Sequence, residues 1–281
     1  MHADGRQTAA IIRVQKAKSQ LRQQVAPFPD TPVYSAMPVP PAIIVADAHL
    51  GPQTDDDTSA AFQRFLAEVP RPGNHLVING DLFDFWFEYR TVVPRGVFPI
   101  LASLWDLIRR GVRVTVTGGN HDRWGGRFWK EQVGAEFHPR AVELDIAGWR
   151  ALVSHGDGDI EPELLAKLVH RVIGSPITSM TFRALHPDVG FWLIRKSRRL
   201  LSRRRGNPAQ TNHAALAQAR TARALLEKRS DLDLVVLAHT HCACLEQISP
   251  QRWYLNPGAW ENGFEYAIVT EHGPELRRWG T

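Results

Sequence analysis

The sequence predicts an α/β fold in which polar residues follow the ends of buried strands. Short, mostly apolar runs, typical of buried strands, occur at residues 42–46, 75–78 and 232–238. Segments with helical periodicity lie between strands, at residues 59–69 and 100–110. Acidic and histidine residues follow the apolar runs closely, and open α/β sheets place their functional groups at such strand ends.

The length of 281 residues is enough for one large domain or two small ones. An apolar content of 43% and a charged content of 22% are ordinary for globular proteins. No apolar run approaches the roughly 20 residues of a membrane helix, and the first residues contain no signal-peptide core, so we expect a cytoplasmic protein. The two cysteines, Cys242 and Cys244, do not indicate a disulfide framework, and we expect small buried side chains rather than metal ligands.

Basic residues are concentrated in one segment of the chain. Residues 160–213 contain ten Lys and Arg against three Asp and Glu, a surplus of seven, whereas the whole chain has a formal charge of +5. We therefore expect a basic insertion that meets an anionic partner. Residues 1–40 end in a proline-rich stretch and are predicted to be an N-terminal extension. Residues 41–281 are predicted to be the main domain, with residues 160–213 inserted as a helical basic cap.

The stretch around Asp81 organises the predicted site. It follows the strand at residues 75–78 and contains a Gly-Asp turn, so the Asp81 carboxylate is expected at the functional edge of the sheet. Asp81 is our candidate for a ligand that bridges two metal ions. Asp47 and His49 follow the strand at residues 42–46, and positions two apart on an extended segment point the same way. These two residues are therefore candidates to bind one metal together, although a capping Asp and an incidental His would give the same pattern.

The strand predicted at residues 112–116 leads into a glycine-rich turn with three candidate residues. Asn120 offers a neutral amide oxygen to a metal. His121 stands next to Asp122, which suggests an imidazole that is held and kept basic by a carboxylate. A surface turn would also account for this stretch taken alone.

Two further strand ends carry histidines. Residues 142–146 and 150–154 predict a hairpin, and its second strand runs into His155. The strand at residues 232–238 is followed by His239 and His241, two positions apart. A single histidine at a strand end is more often structural, but the pair is a stronger candidate for metal binding.

Five short blocks combine these residues in order along the chain. The blocks are Asp47-x-His49, Gly80-Asp81-x-x-Asp84, Gly119-Asn120-His121-Asp122, His155-Gly156-Asp157 and His239-x-His241. Together they resemble the calcineurin-like metallophosphoesterase superfamily over residues 43–270. The resemblance implies an αββα sandwich with two stacked mixed β-sheets and a helical cap insertion.

The resemblance also implies a role for each matching residue. A first divalent metal would be bound by Asp47, His49, Asp81 and His241. A second would be bound by Asp81, Asn120, His155 and His239. Asp84 and Asp157 would orient ligands, while His121 backed by Asp122 would donate a proton during hydrolysis. Members of this kind usually work with manganese, and the same ligands suit iron, cobalt or zinc.

The cap and residues 80–89 resemble the UDP-2,3-diacylglucosamine pyrophosphatases of lipid A synthesis. This implies cleavage of a lipid-linked nucleotide at its diphosphate, with release of UMP and an acylated sugar 1-phosphate. Apolar residues of the cap would hold acyl chains, and its arginines would meet an anionic membrane surface at the inner face of the cell membrane. A solvated basic helix on a buried apolar stripe is the other interpretation of this segment.

Other functions stay open at this point. Much of the lipid family carries Arg where this chain has His121, so a metal-dependent phosphodiesterase or phosphatase of broader specificity, acting on nucleotides or other phosphoesters, is the main alternative. A nucleic-acid substrate is disfavoured because residues 195–205 contain no aromatic side chain for base stacking. A non-catalytic scaffold is disfavoured because all seven predicted metal ligands are present.

Overall fold

The computed structural model describes residues 39–52, 54–157, 175–202 and 208–280. The predicted N-terminal extension lies outside the described residues, except for positions 39 and 40. The predicted cap is described over residues 175–202 and from residue 208 onward. No helix within the described ranges combines the length and apolarity needed to cross a membrane.

The described residues form eleven strands in two mixed sheets. In chain order the strands are β1 (Ala42–Val45), β2 (His75–Asn79), β3 (Arg113–Thr117), β4 (Glu136–His138), β5 (Val142–Ile146), β6 (Trp149–Val153), β7 (Leu234–Val236), β8 (Cys244–Ser249), β9 (Arg252–Asn256), β10 (Glu265–Thr270) and β11 (Gly273–Arg278). The larger sheet has the order β11-β10-β1-β2-β3-β4, and the smaller has the order β5-β6-β7-β9-β8. The strands predicted above are confirmed to within about two residues at each end.

The strands that precede the candidate residues run parallel to their neighbours. In the larger sheet, β1 pairs with β2 and β2 pairs with β3 in parallel. In the smaller sheet, β6 pairs with β7 in parallel, while β5 and β6 form the predicted antiparallel hairpin. Because the carboxyl ends of parallel neighbours meet at one edge, the loops after β1, β2 and β3 lie side by side, as do those after β6 and β7.

Five helices accompany the two sheets in the described residues, and the starts of the first two have a local cause. They are α1 (Asp56–Glu68), α2 (Phe98–Arg109), α3 (Pro176–Ala184), α4 (Pro187–Ser202) and α5 (Pro208–Lys228). Helix α1 starts three residues before the predicted position because Asp55 caps it, with its side chain accepting a hydrogen bond of 2.7 Å from the Thr58 amide. Helix α2 starts two residues early because Pro99 is compatible with a first helical turn.

Three apolar layers hold the helices and sheets together. Phe65 of α1 and Leu104 of α2 are fully buried against the outer face of the larger sheet. Ile44 and Val236 belong to the layer between the two sheets. Leu226 of α5 is buried on the far face of the smaller sheet. Each such side chain contributes about 1.5–3 kcal/mol by leaving water, and the resulting helix–sheet–sheet–helix order confirms the predicted αββα sandwich.

Candidate metal centre

The predicted ligands converge from loops of both sheets. Asp47 and Asp81 follow β1 and β2 of the larger sheet, whereas His155 and His241 follow β6 and β7 of the smaller one. The Nε2 atom of His241 lies 3.2 Å from Oδ1 of Asp47. The Nε2 atom of His155 lies 3.4 Å from Oδ2 of Asp81. Each pair is far apart in sequence, so the stacking of the two sheets creates the cluster.

Candidate ligand atoms form three overlapping groups in the described part of the chain, with all atoms of a group within 4.8 Å of one another. The groups are Asp47 with His49 and His241, Asp81 with His155 and His239, and Asp81 with His49 and His121. Asp81 is shared by two groups, and its Oδ2 atom lies 3.8 Å from Nε2 of His49. This arrangement brings together six of the seven residues that were predicted to bind metals.

Asn120, the seventh predicted ligand, lies on the loop after β3 beside Asp81. Its neighbour Gly119 has no room for a side chain, because a Cβ atom there would stand 2.2 Å from Oδ1 of Asp81. The backbone of this loop can therefore approach the Asp81 carboxylate closely. The next residue, His121, donates its backbone N–H to Oδ1 of Asp81 over 2.9 Å. These contacts place Asn120 next to the cluster.

The backbone at the predicted ligands is strained. Eight described residues other than glycine have positive φ, and five of them are predicted metal ligands, namely Asp47, His49, Asp81, His239 and His241. A positive φ is uncommon for side chains with a Cβ and is found most often where a functional site demands it. The sharp turns after β1, β2 and β7 thus aim these side chains back over the strand ends.

Several buried polar atoms of the cluster fit a metal ion better than any protein partner. Among the described residues, Nε2 of His49 and Oδ1 of Asn120 have no hydrogen-bond partner, and Oδ1 of Asp47 and Nε2 of His155 face other charged atoms of the cluster, the nearest at 3.2 Å and 3.4 Å. Leaving a buried polar atom unpaired costs about 1–3 kcal/mol, so the two unpaired atoms favour a bound ligand. Carboxylate, amide and imidazole donors together suit a divalent transition metal.

The pKa values of the acidic and histidine side chains in the cluster depend on one another. Burial alone would raise the pKa of the Asp81 carboxyl, but the nearby histidines, His155 foremost, hold it well below its usual range. Burial lowers the pKa of His155, yet the charges of Asp81 and Asp47 outweigh burial and raise it to about 9. In the protein alone these groups form charged pairs at neutral pH. A divalent cation would take the place of the protons on such rings, so metal binding is favoured as pH rises.

Two of the imidazole rings are oriented by backbone carbonyls. Nδ1 of His155 lies 2.9 Å from the carbonyl oxygen of Asn79, and Nδ1 of His121 lies 2.7 Å from that of Asp84. A carbonyl oxygen only accepts, so Nδ1 carries the proton in both rings. Nε2 of each ring is then directed toward the cluster, at 3.4 Å and 3.9 Å from Oδ2 of Asp81 for His155 and His121 respectively.

The predicted pairing of Asp122 with the His121 ring is corrected by the structure. The Asp122 carboxylate instead accepts backbone N–H groups, from Gly119 at 2.8 Å and from Leu82 at 2.8 Å. Burial and the charge of Asp81 raise the pKa of Asp122 to about 7. Asp122 therefore ties the loop after β3 to the loop after β2, and the His121 ring takes its orientation from the Asp84 carbonyl. Adjacent residues in a tight turn face different partners.

The two residues that were predicted to orient ligands are also placed by the structure. Asp84 acts on His121 through its carbonyl oxygen, and its side chain lies against Gly51, where a Cβ atom would stand 2.9 Å from the Cβ of Asp84. The carboxylate of Asp157 forms an ion pair with Arg123. Arg123 follows the loop after β3, so this pair links the two sheets near the cluster. Its part in orienting a metal ligand stays a prediction.

Two residues near the cluster were not anticipated from the sequence. Glu261 lies on a short helical turn (Trp260–Asn262), and its Oε1 atom is 3.2 Å from Nδ1 of His241. Gln218 is buried on α5, and its amide donates a hydrogen bond of 2.9 Å to the carbonyl of Ala238, directly before His239. Gln218 lies within a helix, and Glu261 follows β9 only after the turn at residues 257–260, so neither residue stands directly behind an apolar run of the sequence.

Gln218 connects the loops that carry His155 and His239. Its Oε1 atom accepts hydrogen bonds from Tyr254 and Asn256, both at 3.1 Å. Its Nε2 atom would lie 2.5 Å from a Cβ placed at Gly156, so the glycine leaves room for the amide. A buried amide that is hydrogen-bonded through both its oxygen and its nitrogen fixes the local geometry, and α5 is thereby joined to both histidine loops.

The cysteines lie just beyond His241 but outside the ligand groups. Cys242 and Cys244 are half-buried free thiols, and neither belongs to a group of potential ligands in the described part of the chain. Small buried side chains were expected, and the structure shows both cysteines to be only partly buried. Burial raises the pKa of both thiols, which keeps them protonated at neutral pH and disfavours metal binding through sulfur.

The chain is similar in sequence to a known family and to named proteins, and in structure to solved proteins. A family model described as calcineurin-like phosphoesterase matches residues 40–243. The chain is 26% identical over 239 residues to the UDP-2,3-diacylglucosamine hydrolase of Porphyromonas gingivalis, covering 79% of this chain and 91% of that protein. It is also 26% identical over 231 residues to the protein of the same name from Actinobacillus succinogenes, covering 82% and 95%. A dimetal phosphatase from Danio rerio has a TM-score of 0.43 at 9% identity, covering 87% of this chain and 100% of that one.

Proposed function

The chain belongs to the calcineurin-like phosphoesterase family and is a metal-dependent hydrolase; on that premise we propose that it hydrolyses the diphosphate of UDP-2,3-diacylglucosamine or a close analogue. The products would be UMP and an acylated sugar 1-phosphate. The names of the two bacterial relatives support this substrate. The observation that carries the proposal is an apolar cavity that opens beside the metal-ligand cluster.

This cavity has a volume of about 820 Å³, within the usual size range for ligand pockets of roughly 300–1,000 Å³. Asp84, whose carbonyl holds His121, lies in its wall. Most of the remaining wall is apolar, with Phe85, Val92 and Phe191 among its residues. A mostly apolar pocket that reaches Asp84, next to the metal-ligand cluster, suits the acyl chains of a substrate whose diphosphate lies at the metal ions.

The first residues of α4, in the basic insertion, form one side of this cavity, and α3 packs beside them. Phe182 of α3 and Phe191 of α4 pack on Phe85, with ring centroids 5.5 Å and 5.3 Å apart. Gly190 allows this approach, because a Cβ atom there would stand 2.8 Å from the hydroxyl oxygen of Tyr89. These contacts support residues 160–213 as a cap that covers the substrate, inserted in a main domain of residues 41–281.

We assign the ligands as the resemblance implies. The first metal is held by Asp47, His49, Asp81 and His241, and the second by Asp81, Asn120, His155 and His239. When bound, paired divalent ions, in our proposal manganese, polarise a phosphoryl oxygen and make water a strong nucleophile at neutral pH. His121 directs Nε2 toward the cluster while Nδ1–H donates to the Asp84 carbonyl, so in its protonated, imidazolium form the ring can donate the Nε2 proton to the leaving oxygen and is left as the neutral Nδ1–H tautomer.

The substrate is tested by comparing two UDP-sugars that differ only in their acyl chains. With Mn²⁺ present, we expect release of UMP from UDP-2,3-diacylglucosamine with a kcat/KM about 10²-fold or more above that for UDP-N-acetylglucosamine. The physical reason is that each buried CH₂ group contributes about 0.8 kcal/mol, so a few buried methylenes account for this preference. UMP release would be followed by chromatography.

Bis(p-nitrophenyl) phosphate serves as the control for general activity. Rapid turnover of this ester without release of UMP from the lipid nucleotide would overturn the proposed substrate. It would favour the second candidate, a phosphodiesterase of broader specificity, for which the histidine at position 121 is the supporting feature.

The exposed face of α4 supports contact with an anionic membrane surface. Val189, Trp192 and Leu193 are about half exposed, and their spacing places them on one side of the helix with Lys196. Lys196 lies 5.1 Å from the centre of the Trp192 ring. An amphipathic helix with aromatic and basic residues on its exposed face is typical of peripheral binding to lipid bilayers. We therefore propose that the cap docks on the membrane that contains the substrate.

Exposed tryptophans on two helices provide a matched test of this docking. Trp192→Ala is expected to lower the affinity for vesicles of phosphatidylglycerol and phosphatidylethanolamine about tenfold, since it removes apolar area that would insert. Trp105 of α2 is similarly exposed, at 46% against 53% for Trp192, and also stacks with a cation, Arg109. Trp105→Ala should leave vesicle binding unchanged in a sedimentation assay. Equal effects of the two substitutions would contradict docking through α4.

A further inference from the structure

Glu261 is held at the edge of the metal-ligand cluster by a buried tryptophan. The preceding residue, Trp260, is fully buried and packs on Phe62 and Phe65 of α1, with ring centroids 5.1 Å and 4.8 Å apart. A tryptophan buries a large area and anchors the backbone that carries it. The turn at Trp260–Asn262 therefore has a fixed position relative to the core.

Backbone hydrogen bonds join this turn to the segment that carries Asp47. The N–H of Trp260 donates to the carbonyl of Ala46 over 3.0 Å, and the N–H of Glu261 donates to the carbonyl of Asp47 over 3.3 Å. Glu261 and Asp47 are therefore held next to each other although 214 positions separate them in the sequence. The side chain of Glu261 starts from a backbone that cannot move away from the first metal site without breaking these bonds.

The Glu261 carboxylate contacts the back of the His241 ring. Its Oε1 atom lies 3.2 Å from Nδ1 of His241, while Nε2 of the same ring lies 3.2 Å from Oδ1 of Asp47. The carboxylate accepts a hydrogen bond and therefore keeps the proton on Nδ1. Nε2 is then the atom that the ring presents toward Asp47. The same Oε1 atom is 3.9 Å from Nε2 of His49, so Glu261 lies near two predicted ligands of one metal.

We propose that Glu261 is a positioning residue of the first metal site. It orients the His241 ring, selects the tautomer with a proton on Nδ1 and increases the affinity of Nε2 for a divalent cation. The inference rests on the metal centre of the proposed function and is independent of the substrate. None of the comparisons and none of the strand-end motifs assigns this role to position 261.

The test measures metal binding directly in the full chain. Metal-free protein would be titrated with Mn²⁺ by calorimetry as the wild type and as Glu261→Ala, Glu261→Gln and Glu265→Gln. We expect Glu261→Ala to weaken one Mn²⁺ site about 10–100-fold and leave the other unchanged, the usual cost of removing such a partner. Glu261→Gln should lose less, because its amide oxygen still accepts from Nδ1 but carries no charge.

Glu265 controls for damage to the turn itself. Its Oε2 atom accepts a hydrogen bond of 3.3 Å from the Ala259 amide, so it supports the same turn, and no contact joins it to His241 among those found in the described residues. Glu265→Gln is expected to bind both metal ions as the wild type does. A loss equal to that of Glu261→Ala would mean that the turn matters rather than the carboxylate, and would overturn the proposal.

Three other results would overturn the proposal in different ways. Unchanged Mn²⁺ affinities in Glu261→Ala would show that His241 needs no orienting partner. A lower coordination number in the visible spectrum of Co²⁺-loaded Glu261→Gln, relative to the Co²⁺-loaded wild type, would make Glu261 a metal ligand instead. A wild-type chain that binds no Mn²⁺ would overturn the proposed metal centre and this inference with it. Failure of the inference alone is distinguishable, because the wild type would then still bind Mn²⁺.

Discussion

Replacing Asp81 with alanine is expected to reduce phosphoester hydrolysis to background, a loss of about 10⁴-fold or more, and to remove bound metal from both sites. Oδ2 of Asp81 lies 3.4 Å from Nε2 of His155 and 3.8 Å from Nε2 of His49, so one oxygen faces ligands of both predicted metals. Metal ions stabilise the transition state by several kcal/mol, and the loss of each 1.36 kcal/mol lowers the rate about tenfold.

The charge of Asp81 also keeps the other ligands together. In the metal-free protein its carboxylate is surrounded by histidines, and it accepts the His121 amide through Oδ1 at 2.9 Å. Asp81→Asn can retain this hydrogen bond through its amide oxygen but lacks the negative charge. We therefore expect Asp81→Asn to fold as the wild type does and still to lose metal, which separates the electrostatic role of the side chain from its structural one.

The measurements are metal content by mass spectrometry, hydrolysis of a chromogenic ester and circular dichroism. Asp106 provides the control, because its carboxylate is 63% exposed on α2 and pairs with Arg110 only one helical turn away. Asp106→Ala should keep metal and activity. If Asp81→Ala retained two equivalents of Mn²⁺ per chain, Asp81 would not be the shared ligand.

The parts of the site that follow parallel strands were predictable from the sequence. Residues 76–78 are all apolar because β2 is buried on both faces, and a carboxylate just after such a run indicates a functional role. The same pattern located Asp47, whereas His155 was located at the end of the predicted hairpin. The positive φ values of Asp47 and Asp81 explain why these side chains turn back toward the strand ends, a feature that sequence patterns do not record.

The parts that depend on tertiary contacts were not predictable. Glu261 reaches His241 because Trp260 is buried under α1, and no local pattern connects these elements. Gln218 is a polar residue within a helix, where the sequence alone suggests a solvated position, yet it is buried against the Ala238 carbonyl. Asp122 was assigned to its neighbour His121 because the two are adjacent, whereas the fold gives its carboxylate four backbone amides at 2.8–3.4 Å.

Replacing His121 with alanine is expected to lower the rate of hydrolysis about 10²–10⁴-fold while both metal ions remain bound. The ring is oriented through Nδ1 by the Asp84 carbonyl, and its Nε2 atom lies 3.9 Å from Oδ2 of Asp81. His121 also donates its backbone N–H to Oδ1 of Asp81 over 2.9 Å, and alanine retains this hydrogen bond. The substitution should therefore remove a proton donor and leave the predicted ligands in place.

The leaving group of the substrate distinguishes proton donation from a general effect on the site. A donor matters most when the leaving oxygen is strongly basic, and matters little when it departs as a stable anion. We expect His121→Ala to slow the hydrolysis of a phenyl or alkyl phosphodiester by the full 10²–10⁴-fold, but that of a p-nitrophenyl phosphodiester by only about tenfold. His121→Gln should behave like alanine in both assays, because an amide does not donate a proton in this way.

Metal content decides whether His121 is a proton donor or a metal ligand, since its position allows both roles. His121 shares a group of potential ligand atoms with His49 and Asp81, so its ring is close enough to be considered a ligand. If it were one, His121→Ala would lose bound Mn²⁺ as Asp81→Ala does, and all substrates would slow by the same factor. Retained metal with a rate loss that depends on the leaving group would instead identify His121 as the residue that protonates the departing oxygen, held in place by the carbonyl of Asp84.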